Sequence, residues 1–229
     1  MAAQVKSKQR VADHGEVFTN EREVNAMLDM VKQETERIDS RFLEPACGDG
    51  NFLAEILRRK LEVVTQRYRR SNLEWEKNAF IAVCSIYGVD ILADNVAACQ
   101  KRLLDIVAKE HKRVHKKRPN PKFLPAIEFV LGRNILCGNA LSMCRADGEG
   151  NDLPEPIVFS EWSMAMGNKV KRRDFRLDEL MAHEEDRDSL FSSVEVPHSE
   201  WIFDNETQAF IPQPIREYPP TIYYEVVNL

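Results

Sequence analysis

The segment LEPACGDGNFL, residues 43–53, has the composition of a ligand-binding turn between a strand and a helix. Glycines at positions 48 and 50 allow a sharp turn and a close approach to a ligand, since they carry no Cβ atom. The helix that follows would point free N–H groups at whatever lies above the turn. The segment therefore predicts a nucleotide-like cofactor at the carboxyl ends of parallel strands, although tight strand–helix turns also occur for structural reasons alone.

A dinucleotide cofactor such as NAD or FAD fits this turn poorly. Leu53 stands where the GxGxxG pattern requires its third glycine. The acidic residue that ends the next strand, Asp90, lies well beyond the offset of roughly 20 residues expected for an NAD site. Because unpaired charges are seldom buried at the end of an apolar strand, we expect Asp90 to contact a ligand.

Hydrophobic periodicity predicts the elements that position the turn. Helical spacing is found at 20–38, 51–59 and 94–112, and the prolines of RPNPK end the last of these helices. Strand-like apolar runs are found at 41–46, 127–131 and 134–137, in a run ending at Val89, and from Ile157 onward. Strands separated by helices predict an α/β fold with parallel βαβ units and helices on both faces of the sheet.

The composition divides the chain into three parts. Residues 1–14 are predicted to be a flexible lead-in, and residues 15–168 to form the cofactor-binding domain. Residues 169–229 are predicted to form an extension, with a charged helix at 174–188 and then proline-rich aromatic segments. These last segments suit edge strands, a packing arm or a partner-binding tail.

The chain has the composition of a soluble cytoplasmic protein. Of its 229 residues 43% are hydrophobic, and no apolar run approaches the roughly 18 residues of a membrane span. Its first residues lack the apolar core of a secretory signal. The five cysteines are scattered without a CxxC pair, which predicts reduced thiols, no disulfide framework and no metal site.

The charge distribution predicts weak binding of DNA by the chain alone. A net charge of −5 argues against a strong, independent nucleic-acid binder. Basic side chains nevertheless cluster in three stretches, at 58–70, 101–122 and 169–176. Binding through them would be non-specific and strongly dependent on salt.

Four segments together resemble those of the N6-adenine DNA methyltransferases. They are GEVFTN at 15–20, LEPACGDGNFL at 43–53, YGVDIL at 87–92 and ILCGNAL at 135–141. Their order and spacing match the family from residue 15 to residue 141. The resemblance implies a Rossmann-like class I methyltransferase sheet, incomplete in this chain, with S-adenosylmethionine as cofactor. It identifies residues 15–168 as the S-adenosylmethionine-binding, methyltransferase-like domain.

The resemblance also implies contacts with the methionine part of S-adenosylmethionine. Phe18 would help to enclose this part, and Thr19 would contact it, although Asn20 replaces the proline that the family has next. Glu44 would accept a hydrogen bond from the ammonium group of the cofactor, directly or through water.

The remaining implied contacts lie around the turn and at the ends of the next two strands. Asp90 would accept hydrogen bonds from both ribose hydroxyls, which suits a carboxylate. Ile91 would pack on the adenine ring. Asn139, which stands where the family commonly has aspartate, would face the adenine amino group. A close backbone wall would be formed by Cys47, Gly48 and Gly50.

The catalytic segment of the family, [D/N/S]PP[Y/F], is missing from this sequence. In the family it accepts hydrogen bonds from the target amine and stacks an aromatic ring on the flipped base. Ser160, Glu161 and Trp162 occupy the corresponding place after the strand that begins at Ile157, and they are weak catalytic candidates. Trp162 is also typical of a core residue.

Three functions therefore stay open. The first is a DNA adenine-N6 methyltransferase or modification subunit, of the restriction–modification type, that needs a partner subunit or a second copy for catalysis. The second is a non-catalytic S-adenosylmethionine-binding protein with a regulatory or interaction role. The third is a methyltransferase that acts on RNA, protein or a small molecule.

Overall fold

The computed structural model of the chain describes residues 10, 19–115, 120–181, 201–204 and 208–229. Its helices are α1 (Glu21–Met30), α2 (Lys32–Thr35), α3 (Asn51–Tyr68), α4 (Asn72–Cys84), α5 (Ala93–Val114) and α6 (Phe123–Asn134). Its strands are β1 (Phe42–Glu44), β2 (Ile86–Asp90), β3 (Ile135–Asn139), β4 (Cys144–Ala146), β5 (Asp152–Pro156), β6 (Val158–Met164), β7 (Lys169–Arg176), β8 (Trp201–Asp204), β9 (Ala209–Pro212) and β10 (Arg216–Ile222). A 3₁₀ helix, Tyr223–Asn228, follows β10.

Five strands form a mixed sheet in the order β1-β2-β3-β4-β5. β1, β2 and β3 run parallel, with Val89 opposite Leu136, whereas β4 and β5 continue the sheet antiparallel. Every residue of β2 is buried, as expected for the central strand of a parallel sheet. The predicted α/β fold is thus confirmed. Because β1–β3 are parallel, their carboxyl ends at Glu44, Asp90 and Asn139 lie along one edge of the sheet.

Helices α3 to α6 pack against one another and against β2 or β3, and α1 packs on α3. Their apolar sides form one core cluster, in which Leu53, Trp75, Phe80 and Leu103 are fully buried. Burial of each such side chain contributes about 1.5–3 kcal/mol. This helical layer therefore holds the parallel strands, and with them the turn after β1, in place.

The opposite face of the sheet is covered differently from the prediction. There Tyr87 and Val89 pack with Ile157, Phe159 and Leu177 in a second, smaller cluster. β6 is a strand, as predicted, but it pairs with β7 in an antiparallel sheet of order β10-β7-β6 rather than joining the parallel sheet. Within the described residues the prediction of helices on both faces is corrected accordingly: this face is covered by the antiparallel sheet and by Leu177, which begins the helical residues 177–181.

Two further secondary-structure predictions are wrong. The apolar run at 127–131 is not a strand but the middle of α6, because Ala126, Ile127 and Val130 are buried at helical spacing. Pro125 is tolerated there because it lies in the first turn of the helix, where a backbone N–H would have no acceptor within the helix. The charged helix predicted at 174–188 begins only at Leu177, since 174–176 belong to β7; residues 182–188 lie outside the described residues.

The predicted boundary at 168/169 lies in the turn of the β6–β7 hairpin, so its two sides share hydrogen-bonded strands. Past that boundary, Tyr223 and Val226 of the 3₁₀ helix are buried in the same core cluster as α3 to α6. The lead-in at 1–14 lies outside the described residues except for Arg10, which pairs with Asp94. The division into domains stays a prediction.

Helix α1 begins where the sequence predicts, because the side chain of Asn20 accepts a hydrogen bond from the N–H of Glu23. The predicted helix at 20–38 is interrupted at Val31, where α2 begins. None of the helices in the described ranges is long and apolar enough to cross a membrane. Within the same ranges, no three His, Cys, Asp or Glu side chains are grouped to hold a metal ion.

Candidate functional site

A cavity of about 560 Å³ lies at the carboxyl ends of β1, β2 and β3. This volume is within the range of roughly 300–1,000 Å³ that is typical of small-molecule sites. The cavity is lined by Thr19, Glu44, Pro45, Ala46, Cys47, Gly48, Asn51, Phe52, Asp90, Ile91, Leu92, Asn95, Gly138, Asn139, Ala140 and Leu141. No Lys, Arg or His is among them, so the charges in this described lining are the carboxylates of Glu44 and Asp90.

Most of the residues predicted to contact a cofactor meet in this cavity. They come from four separate segments of the chain and are Thr19, Glu44, Cys47, Gly48, Asp90, Ile91 and Asn139. Gly50 is not part of the lining, and Phe18 lies outside the described residues.

The glycine turn after β1 has the backbone conformation that its sequence requires. Gly48 has φ +53° and Gly50 has φ +89°, in the left-handed region that side chains disfavour. Gly50 also begins α3, and a Cβ atom there would lie 2.6 Å from Sγ of Cys99 on α5. Gly50 therefore allows α3 and α5 to pack closely, whereas Gly48 faces the cavity.

The carboxylate of Asp90 holds the turn and the start of α5 together. Oδ2 accepts a hydrogen bond from the N–H of Gly48 at 2.8 Å. Oδ1 accepts from the N–H of Leu92 at 2.9 Å and from Nδ2 of Asn95 at 3.1 Å. A carboxylate can accept about four hydrogen bonds. The described residues thus leave Asp90, which is 9% exposed, one acceptor position, on Oδ2, for a ligand hydroxyl.

Glu44, like Asp90, forms no ion pair with any described residue, and unlike Asp90 it accepts no side-chain hydrogen bond from them. Burial raises the pKa of its carboxyl group above the usual 4.5, while a hydrogen bond from the backbone of Ala46 opposes this shift. A half-buried carboxylate without a cationic partner is unfavourable, and a ligand with a positive charge would stabilise it. Glu44 is therefore suited to bind an ammonium group.

Cys47 and Asn139 are engaged within the protein. A hydrogen bond with Cys99, together with burial, raises the pKa of the Cys47 thiol, which keeps it neutral. Nδ2 of Asn139 donates to Asp152 at 3.0 Å, and its Oδ1 accepts from the N–H of Leu141 at 3.0 Å. Asn139 thus shapes the rim of the cavity, and any contact with an adenine amino group would compete with these bonds.

Several lining residues were not predicted from the sequence. Nδ2 of Asn51 donates to the backbone oxygen of Thr19 at 3.0 Å, which joins the segment before α1 to the cavity. Oδ1 of Asn51 accepts from Arg102 of α5 at 2.6 Å. Leu141, 94% exposed, is an apolar side chain open to solvent at the rim. The sequence signal that could have identified Asn51 as a lining residue is its position directly after the glycine turn.

Ser160, Glu161 and Trp162 lie outside the cavity, in β6. Oγ of Ser160 donates to Asp174 at 2.7 Å and accepts from Nε of Arg172 at 3.0 Å. The side chains of Glu161 and Trp162 also have partners within the protein. Glu161 forms ion pairs with Arg41 and Arg173, and Nε1 of Trp162 donates to Asn134.

A larger cavity, of about 900 Å³, is an open groove between α3 and α5. Its basic side chains are largely paired, for example Lys101 with Asp105 and Arg102 with Asp49. The strand-end cavity is smaller, but it contains acidic groups with free acceptor positions next to a tight turn. We therefore regard the strand-end cavity as the candidate binding site.

Comparisons with models of protein families, with curated proteins and with solved structures gave no match to this chain. The candidate site therefore rests on its own geometry and on the four sequence segments that meet in it.

Proposed function

We propose that the chain binds S-adenosylmethionine in the strand-end cavity and acts as the cofactor-binding part of a DNA adenine-N6 methyltransferase. The observation that carries the proposal is that seven residues named from the sequence, in four separate segments, line one cavity. In open α/β sheets, ligands bind outside the carboxyl ends of the strands, where this cavity lies.

The charges of the cavity suit this cofactor. S-adenosylmethionine carries a sulfonium and an ammonium group, and the lining offers two carboxylates and no basic side chain. Glu44 would bind the ammonium group, since no described cation neutralises its carboxylate. Asp90 would accept a ribose hydroxyl on Oδ2, and Gly48 would let the backbone approach the ligand.

Catalysis in this proposal needs a second chain. The sequence has no PP-aromatic segment, which would orient the target amine and stack on the base. The local substitutes are engaged away from the cavity: Ser160 is hydrogen-bonded to Asp174, and Glu161 forms a buried ion pair with Arg173. A partner subunit or a second copy would therefore supply the groups that hold the adenine.

A second candidate function is that of a non-catalytic S-adenosylmethionine-binding protein. The engagement of Ser160, Glu161 and Trp162 favours this function, because these three candidates are held by other residues of the protein and not by an acceptor molecule. Both candidate functions require S-adenosylmethionine in the same cavity. They differ only in whether a partner chain and a target adenine are bound beside it.

The test is a pair of measurements on one preparation. Calorimetry with S-adenosylmethionine should give a micromolar dissociation constant, or about −8 kcal/mol. Transfer of a labelled methyl group to unmodified mixed-sequence DNA should then be assayed with the lone chain and with co-purifying proteins. Transfer only with a partner supports the first function, and binding without any transfer supports the second. Absence of binding, or robust N6-adenine methylation by the lone chain, would contradict the proposal.

A further inference from the structure

Far from the strand-end cavity, arginine side chains alternate with aromatic rings in a short ladder. The guanidinium carbon of Arg133 lies 5.5 Å from the ring centre of Phe129, and that of Arg172 lies 5.8 Å from the same ring. Arg172 and Arg216 lie 4.2 Å and 4.6 Å from the ring centre of Tyr218. We call these five residues the arginine–aromatic ladder.

The ladder joins α6 to the antiparallel sheet, since Phe129 and Arg133 belong to α6, Arg172 to β7, and Tyr218 and Arg216 to β10. Arg133 lies two residues before β3 begins, whereas the cavity lies where β3 ends. The ladder and the cavity are thus at opposite ends of this strand.

The middle of the ladder is fixed by internal bonds. Arg172, 1% exposed, donates to both carboxylate oxygens of Asp174, from Nε at 2.8 Å and from Nη2 at 2.7 Å. Its Nη1 atom is buried and has no hydrogen-bond partner among the described residues. Arg172 is therefore a rigid central element whose charge is only partly satisfied.

The two ends of the ladder differ from the middle. Arg133 and Arg216 are exposed, and neither forms an ion pair with any residue that the structure describes. Asp174 is the carboxylate that the ladder engages, through Arg172 and the hydroxyl of Tyr218. The ladder and its bonded acid thus comprise three guanidinium groups and one carboxylate, which makes this surface locally basic in a protein of net charge −5.

Of the basic stretches identified in the sequence, only 169–176 contributes to the ladder, through Arg172, and other basic residues of the stretches are neutralised by acids. On α5, Lys101 pairs with Asp105 and Arg113 with Glu110. In β7, Arg173 is buried against Glu161. Among the described residues, the guanidinium groups that stack on a ring and form no ion pair are therefore those of Arg133 and Arg216, at the two ends of the ladder.

We propose that the ladder is a binding site for single-stranded nucleic acid. Arg133 and Arg216 would each bind a phosphate, since guanidinium matches phosphate geometry and neither group forms an ion pair with a described residue. Their outer planes would stack on unpaired bases, as Arg and aromatic side chains do in single-strand grooves. A duplex buries its base faces, so only its phosphates would be bound. The proposal does not depend on S-adenosylmethionine binding.

The test is fluorescence anisotropy of the full chain with a labelled 20-nucleotide mixed-sequence DNA strand. The double variant Arg133→Ala/Arg216→Ala should weaken binding by about tenfold or more. It should also lower the slope of the logarithm of the binding constant against the logarithm of the salt concentration by about 1.4, or about 0.7 per lost phosphate contact. The matched control, Lys32→Ala/Arg37→Ala, removes two exposed but paired cations and should stay within about twofold of the wild type, the scale expected of paired surface charges.

The double variant Arg133→Lys/Arg216→Lys separates stacking from charge. It should keep the salt slope but lose affinity several-fold, because lysine has no planar group to stack. Competition with duplex DNA of the same sequence should be weaker than competition with the unlabelled strand. The proposal is overturned by a wild type that does not bind, by lysine variants with full affinity, by equal competition from duplex, or by equal losses in the alanine and control variants.

Discussion

The strand-end cavity and the β6–β7 hairpin both hold acidic side chains at low exposure, but only in the hairpin are these acids neutralised. Asp174 accepts two hydrogen bonds from Arg172, and Glu161 is paired with Arg173. In the cavity, Glu44 forms no ion pair with the residues the structure describes, and Asp90 is bonded by neutral donors alone. Buried charges are tolerated when they are paired. The hairpin acids thus hold the fold together, and those of the cavity are available to a cationic ligand.

The largest effect is expected from breaking a pair in the hairpin. Asp174→Ala should lower the free energy of unfolding by about 3–5 kcal/mol, because Arg172 would stay buried without its partner. Urea denaturation followed by circular dichroism measures this change. Asp178→Ala, which breaks the more exposed pair with Arg176, is the control and should cost less than about 1 kcal/mol. Similar losses in both variants would contradict a special role for the buried pair.

The next effect concerns ligand affinity. Asp90→Ala should weaken binding of S-adenosylmethionine by about 1.5–3 kcal/mol, because it removes a charged acceptor and releases the N–H of Gly48. Calorimetry measures the affinity, and a thermal melt establishes that the variant is folded. Asp105→Ala, on the exposed side of α5, serves as control with unchanged affinity. A folded Asp90→Ala protein that binds as tightly as the wild type would refute this role.

A smaller effect, with a pH signature, is expected at Glu44. Glu44→Gln should weaken binding by roughly tenfold at pH 7.5, the scale of one charged hydrogen bond. Burial raises the pKa of this carboxyl group above 4.5, so affinity of the wild type should fall as the pH is lowered toward that pKa. The variant should show no such fall, and Glu155→Gln, on exposed β5, should behave as the wild type. An identical pH dependence in wild type and Glu44→Gln would assign the titration to another group.

The smallest effect concerns a buried base outside both regions. The ring of His115 packs against Trp75 and His111, and its two nitrogens have no hydrogen-bond partner among the described residues. Burial, and then His111, lower the pKa of this ring below 6.5, whereas Glu76 acts to raise it. As the pH falls, the unfolded chain therefore binds a proton at His115 before the folded chain does. The free energy of unfolding thus keeps its full value above pH 6.5 and declines below it.

His115→Phe should flatten this decline between pH 7 and pH 5.5, as measured by thermal melts. The pKa of Glu76 is lowered below 4.5, so its stabilising effect is lost only at lower pH. Glu76 therefore does not contribute to the decline between pH 7 and pH 5.5. Equal acid sensitivity in wild type and variant would exclude His115 as the cause.

The turn and the helices around it could be predicted from the sequence because their signals are local. The two glycines of CGDG require positive φ, and the apolar spacing of α5 continues over its whole length. The run at 127–131 was misread because a short apolar stretch fits a buried strand as well as a buried helix.

The partners of polar side chains could not be predicted, because they come from distant parts of the chain. Gly50 was assigned to a ligand, but it meets Cys99, which lies 49 residues further along. Ser160 and Glu161 are catalytic candidates in the sequence, whereas the β6–β7 hairpin shows that Asp174 accepts a hydrogen bond from Ser160 and that Arg173 forms an ion pair with Glu161.

Hydrogen–deuterium exchange with and without S-adenosylmethionine tests the strand-end cavity most directly. We predict that the cofactor slows exchange in the turn at 45–52 and at the start of α5, where Asp90 binds the N–H groups of Gly48 and Leu92. Exchange in the β6–β7 hairpin should not change. No protection at the turn, or protection confined to the hairpin, would contradict the claim that the strand-end cavity is the cofactor site.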